Sequence, residues 1–223
     1  MKLRELLIST AMMSLTFVPA EAVTPPLPSP LLTEDKILGE AYYDTLNILN
    51  TPNQCSEFFG GASASVDIFN ELIANVRKEY FPSWIGIKMS GVVNVSSMTS
   101  KRKYRLFEKV SINANGPFYR RRYLNAETNV PGIGRFAANT KEARVLMLLH
   151  ELGHMVQGKS GDWLLPDDGN DEAQSRENTR KIEGVCVGQL KNLGKGDTTM
   201  NSAIGKQQQD KKVTQADATV TTP

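Results

Sequence analysis

Only two histidines occur in this chain of 223 residues, His150 and His154, and Glu151 directly follows the first. Chance placement of two histidines four apart with a glutamate after one is on the order of one in two thousand. The surrounding run, from Asn139 or Thr140 to Gly158, sets Val145, Leu149, Leu152 and Val156 at helical intervals. Asn139 with Glu142 three residues later has the form of a capping box at its start. The pattern predicts a helix whose apolar side is buried in the core. Residues i and i+4 of such a helix lie one turn apart on one face, so both imidazoles can reach one ion. Glu151 is turned from His150 by about 100°, near enough to approach a water without ligating.

The chemistry follows from charge. Two neutral imidazoles and a third protein donor leave Zn²⁺ an open position for water. The cation lowers that water's pKa toward roughly 7, so Glu151 can take its proton during attack on a carbonyl and deliver it to the leaving amine. The plain alternative is a pair of ordinary, partly exposed helix histidines. Gly153 sits between them in helical context, where it costs about 1 kcal/mol against Ala, so it signals either a close approach or tight packing.

The termini frame a single domain. Lys2 and Arg4, the mostly apolar run Leu6 to Val18 and the small-x-small set Ala20-Glu21-Ala22 have the anatomy of a secretory signal peptide over residues 1–22. Its apolar core of about 13 residues is short of the roughly 20 that span a membrane, so no stable insertion is expected after cleavage. Residues 23–33, with Pro25, Pro26, Pro28 and Pro30, read as an extended linker. Residues 34–187 form the domain, and 188–223 a polar, disordered tail. With 26 basic against 24 acidic residues and a net charge of +2, no nucleic-acid partner is expected. Export also favours joining the only two cysteines, Cys55 and Cys186. The alternative is two buried free thiols.

Apolar periodicity predicts a helix from Glu34 to Leu49 behind a Thr33 cap, and a second from about Ser65 to Tyr80. Residues 84–98 and 104–114 are richer in β-branched and alternating residues, with Leu106, Val110 and Ile112 suggesting a poorly periodic strand that closes at Asn115-Gly116-Pro117. The cluster Lys101-Arg102-Lys103, Arg105 and Lys109 could contact an anionic polymer, but in an exported chain of near-zero net charge it reads rather as a solvated loop. Tyr119, Arg120 to Arg122 and Tyr123 form either a solvated rim or donors over the cleft.

His150-Glu151-Leu152-Gly153-His154 resembles the HExxH helix of zincin-type zinc metallopeptidases, over residues 140–157. The resemblance implies an α+β, zincin-like fold: a small antiparallel or mixed sheet packed on the active-site helix, with N-terminal helices. It makes His150 and His154 zinc ligands and Glu151 the general base. The metzincin branch is excluded, because it needs a third histidine where Ser160 stands. The second-helix Asn-Glu-x-x-Ser-Asp block of thermolysin-like enzymes is absent, as is their auxiliary histidine. A carboxylate just beyond the helix is the arrangement of the aspzincin branch, although its Gly-Thr-x-x-Asp block is missing. The stretch from Leu164 to Cys186, with Ser175 and Asn178-Thr179, is similar to exported bacterial proteins bearing an HELGH or HELAH motif. Asp168, before Gly169, is the expected third ligand; Asp167, Glu172 and Glu177 are the alternatives, and an aspartate before glycine is also a common turn residue.

These observations predict a secreted or periplasmic zinc metallopeptidase acting on peptide or protein substrates. Two other readings keep the metal: an amide hydrolase acting on cell-wall peptide links, and a non-catalytic exported binding module with a structural zinc. Four protein donors would mark the last of these, three plus water a catalyst.

Overall fold

The computed structural model describes residues 28–82, 85–96, 103–123 and 128–193. The expected signal peptide, the start of the proline-rich stretch, Lys101 and Arg102, and residues 194–223 lie outside them. The described chain is α+β. Helices α1 (Leu31–Glu34), α2 (Lys36–Asn50), α3 (Gln54–Phe58) and α4 (Ala62–Ala74) come first. Strands β1 (Val76–Glu79), β2 (Ile87–Ser96) and β3 (Lys103–Asn113) follow, and α5 (Lys141–Met155) and α6 (Glu172–Leu193) complete the order.

The linker expected to run to residue 33 ends sooner. Leu31–Glu34 makes a helical turn and Leu32 is buried, because α1 lies directly on α2: a Cβ at Gly39 would stand 2.5 Å from the Leu32 carbonyl oxygen. Thr33 is inside that turn, so Asp35 caps α2 instead, accepting from the Leu38 amide at 3.1 Å. The second expected helix also stops early. Asn75 closes α4, and Val76–Glu79 pairs in parallel with Val110–Asn113 of β3, burying the β-branched Val76. Tertiary pairing overrides a weak helical preference there.

The sheet is mixed, with order β1-β3-β2 and β2 antiparallel to β3. Its poor periodicity has a local cause. Arg105 and Phe107 alternate with more exposed neighbours in the first half of β3, whereas Val110, Ser111, Ile112 and Asn113 are all buried in the second, so only the first half shows a period of two. Between the two halves, Gly91 of β2 sits against Glu108 at φ 73°, a conformation that L side chains rarely adopt.

Helix α5 is the centre of the molecule. Twelve of its fifteen residues are buried, and it touches α2, α4, α6 and both long strands. Thr140 caps it, accepting from the Ala143 amide at 3.2 Å. The expected Asn139–Glu142 box does not form: Asn139 has φ 60°, and its side-chain oxygen accepts from the buried Arg144. Helix α6 buries Asn178, Ile182, Cys186 and Leu190 at every fourth position, together with Glu183, which pairs with Arg135. It runs to Leu193, so residues 188–193, expected to open the polar tail, are helical and Leu190 is buried. Cys186 is disulfide-bonded to Cys55 of α3 with Cα atoms 4.7 Å apart, across 131 residues. Closing a loop of that length in the unfolded chain stabilises the fold by about 4–5 kcal/mol as an upper figure. Among the described residues, no helix is long and apolar enough to cross a membrane.

Candidate metal centre

The two histidines project from the last turns of α5 and are both buried, His150 at 6% and His154 at 3% exposure. Their rings lie 4.9 Å apart, edge to face, with Nε2 atoms separated by 3.1 Å. Asp168 Oδ2 completes a triangle, 3.0 Å from His150 Nε2 and 3.5 Å from His154 Nε2. Donors about 2.0–2.1 Å from a tetrahedral zinc stand about 3.3 Å from one another, and these separations bracket that value. His150, His154 and Asp168 therefore form a group able to hold a metal ion.

Three consequences of local folding bring Asp168 there. Gly153 is the first: a Cβ on it would lie 2.6 Å from Leu165 Cδ1 and 3.4 Å from Ile182 Cδ1. Its bare backbone lets the strap Leu164–Asp171 lie on α5, and its carbonyl accepts from the Leu165 amide at 3.2 Å. Close approach and tight packing turn out to be one effect. Asn178 is the second. This buried residue of α6 donates to the Pro166 carbonyl at 3.0 Å and reaches Asp168 Oδ2 at 3.5 Å. The third is Arg105, whose guanidinium holds the neighbouring Asp167.

The outer contacts suit a cation. Thr179 Oγ1 lies 3.0 Å from His150 Nδ1. With a proton on Nδ1 shared with that hydroxyl, Nε2 turns a lone pair inward. Among the described residues, His154 Nδ1 is buried without a hydrogen-bond partner. Burial would raise the Asp168 carboxyl, but hydrogen bonds from His150 and His154 hold it well below the usual carboxylate range. Burial alone would lower His154; its bond to Asp168 and the charge of Glu151 raise it above the ordinary imidazole value. Half-buried Glu151 sits in the field of the same three groups. Burial pushes its carboxyl above the usual range, against the pull of His150 and His154.

The other expected candidates fall elsewhere. Asp167 is turned away toward Arg105, and Glu172 pairs with Arg176 at 2.5 Å on the exposed side of α6. Glu177 is also exposed. Tyr119 donates to Asp35 Oδ2 at 2.9 Å and joins the α2 cap. Of the basic cluster, Lys103, Arg105 and Lys109 lie in β3 rather than in a loop; Arg105 is buried, and Lys109 pairs with Glu79 at 2.6 Å. Sequence reasoning gave Arg105 and Thr179 no role at the site. Only the four-residue stripe of α6, which faces Asn178 inward, carries a signal for that side. No family model, curated protein or solved structure matches the chain.

Proposed function

We propose that this chain is an exported zinc metallopeptidase of zincin-like architecture, with His150, His154 and Asp168 as zinc ligands and Glu151 as general base. The observation that carries the reading is the convergence of three inward donor atoms at 3.0, 3.1 and 3.5 Å. Three lone-pair-bearing atoms so close repel one another unless a proton or a cation lies between them, and two imidazoles with one carboxylate suit zinc. Three protein donors also leave a fourth position open, the arrangement of a catalyst rather than of a closed structural site.

When bound, zinc supplies a Lewis acid and a water that ionises near neutral pH. Each residue then has one task. His150 and His154, fixed by one helical turn, hold the ion on the helix, and Thr179 keeps the His150 ring in its ligating tautomer. The Glu151 carboxylate takes a proton from the attacking water and returns it to the nitrogen of the leaving amine as the C–N bond breaks. The disulfide fits an oxidising, extracytoplasmic compartment.

The test is cleavage of casein and quenched peptides by zinc-loaded wild type and by Glu151→Gln. The reading predicts turnover by the wild type and a loss of at least about 100-fold in the variant, with zinc content unchanged. Zinc in both with turnover by neither would point to a binding module instead.

A further inference from the structure

Arg105 is 4% exposed, and nearly every polar atom of its guanidinium is directed. Nε donates to the carbonyl oxygen of His154. Nη1 and Nη2 donate to Asp167 Oδ2 and Oδ1, at 3.2 and 2.5 Å. The guanidinium lies 4.5 Å from the centre of the Trp163 ring, which covers it. A buried cation of this kind is held only where its charge is answered, and one carboxylate answers it with a two-pronged bond that a lysine cannot reproduce.

The two groups it grips are informative. The His154 carbonyl belongs to the last turn of α5, where helix geometry leaves carbonyls without an intrahelical donor. Asp167 immediately precedes Asp168. One side chain from β3 therefore holds both the helical turn that carries His154 and the strap that carries Asp168. Those two residues supply the longest edge of the donor triangle, 3.5 Å, and neither local helix geometry nor their separation in the chain fixes that edge.

We propose that Arg105 is the positioning residue of the centre: by clamping Asp167 to the His154 carbonyl it sets the His154–Asp168 spacing, and with it metal affinity and coordination geometry. It touches neither metal nor substrate. The inference rests on the metal-centre reading. Asp167 is exposed on its outer side, so Asp167→Asn can be made without opening the core, and it weakens the same clamp from the opposite end.

The experiment uses the full chain as wild type, Arg105→Gln, Arg105→Lys, Asp167→Asn and the Arg105→Gln/Asp167→Asn double variant. Zinc affinity is read by competition with a chelating dye, coordination geometry from the visible absorption of the cobalt-loaded protein, and folding from thermal melting of the metal-free form. Residues that hold metal ligands in place characteristically change affinity by about 10- to 100-fold. Arg105→Gln should lose that much, with a weaker cobalt band as the site departs from tetrahedral. Asp167→Asn should show a smaller loss of the same kind, and Arg105→Lys should fall between wild type and Gln. The double variant should lose less than the sum of the two single losses, since both break one clamp. If Arg105→Gln does not fold, the exposed Asp167→Asn carries the test alone. Wild-type affinity and an unchanged cobalt spectrum in the variants would overturn the role of Arg105 alone. Failure of the wild type itself to take up zinc or cobalt would overturn the metal centre as well.

Discussion

The two halves of the site are built in different ways. His150 and His154 are related by a single turn of α5, and the covalent geometry of a helix places them together once that helix exists. Asp168 reaches them on a strap with no regular structure, held by Gly153 beneath it, Arg105 on β3, and Asn178 and Lys181 on α6, the last donating to the Leu164 carbonyl at 2.7 Å. The first half is local and survives small disturbances of packing. The second is wholly tertiary. Changes that loosen contacts between elements should therefore degrade the third ligand before they disturb the histidine pair.

The largest expected disturbance is removal of the disulfide. Cys55→Ser/Cys186→Ser should lower unfolding free energy by up to about 4–5 kcal/mol in urea titrations. Because α6 carries the supports of the strap, zinc affinity of the still-folded variant should fall while the helical signal of metal-free protein near neutral pH is retained. Equal loss of both would break the distinction between the halves. Gly153→Ala comes next. Its new methyl would press on Leu165 at 2.6 Å, and overpacking of this kind costs about 1–3 kcal/mol. Leu165 is three residues from Asp168, so the variant should lose zinc affinity as well as thermal stability.

Thr179→Val sharpens the comparison from the other side. It removes the hydroxyl beside His150 Nδ1 while keeping side-chain volume, and should weaken zinc binding about tenfold with little change in melting temperature. The smallest effect is expected far from the centre. Asp35 accepts from Lys78 Nζ at 2.7 Å, from Tyr119 at 2.9 Å and from the Leu38 amide. Burial would raise this carboxyl, but those donors together hold it below the usual range. A depressed native value means that its contribution is complete above the unfolded carboxyl's value of about 3.9 and is lost as pH falls through the native one. Asparagine keeps the cap but not the charge, so Asp35→Asn should cost about 0.5–1 kcal/mol at neutral pH, and the gap to wild type should close below about pH 4. Zinc affinity should not change.

What could be read in the sequence follows the same division. Helical spacing placed α5, both histidines and the apolar faces of α2 and α4, because those patterns are local. The pairing of Cys55 with Cys186 needed only a count and a compartment. Asp168 was preferred over Asp167 by its place before Gly169, and the geometry separates the two for a reason invisible in one dimension: Arg105 takes Asp167. Arg105 itself looks solvated among three basic neighbours, whereas the strand alternation that also buries Phe107 turns it inward. The strand β1 was hidden in the end of a helical pattern, since only pairing with β3 distinguishes it. Helix α6 buries Asn178, Ile182, Glu183, Cys186 and Leu190, of which only Ile182 and Leu190 are plain aliphatic residues, which gives too weak an apolar stripe to stand out.

The central claim is that three side chains, two local and one brought from a distance, hold one divalent cation. Isothermal titration of chelator-stripped protein with zinc at neutral pH tests it most directly. One ion should bind per chain in the wild type, with binding abolished in His154→Ala and strongly weakened in Asp168→Ala. An untitratable wild type, or an Asp168→Ala variant that binds zinc as tightly as the wild type, would contradict the account.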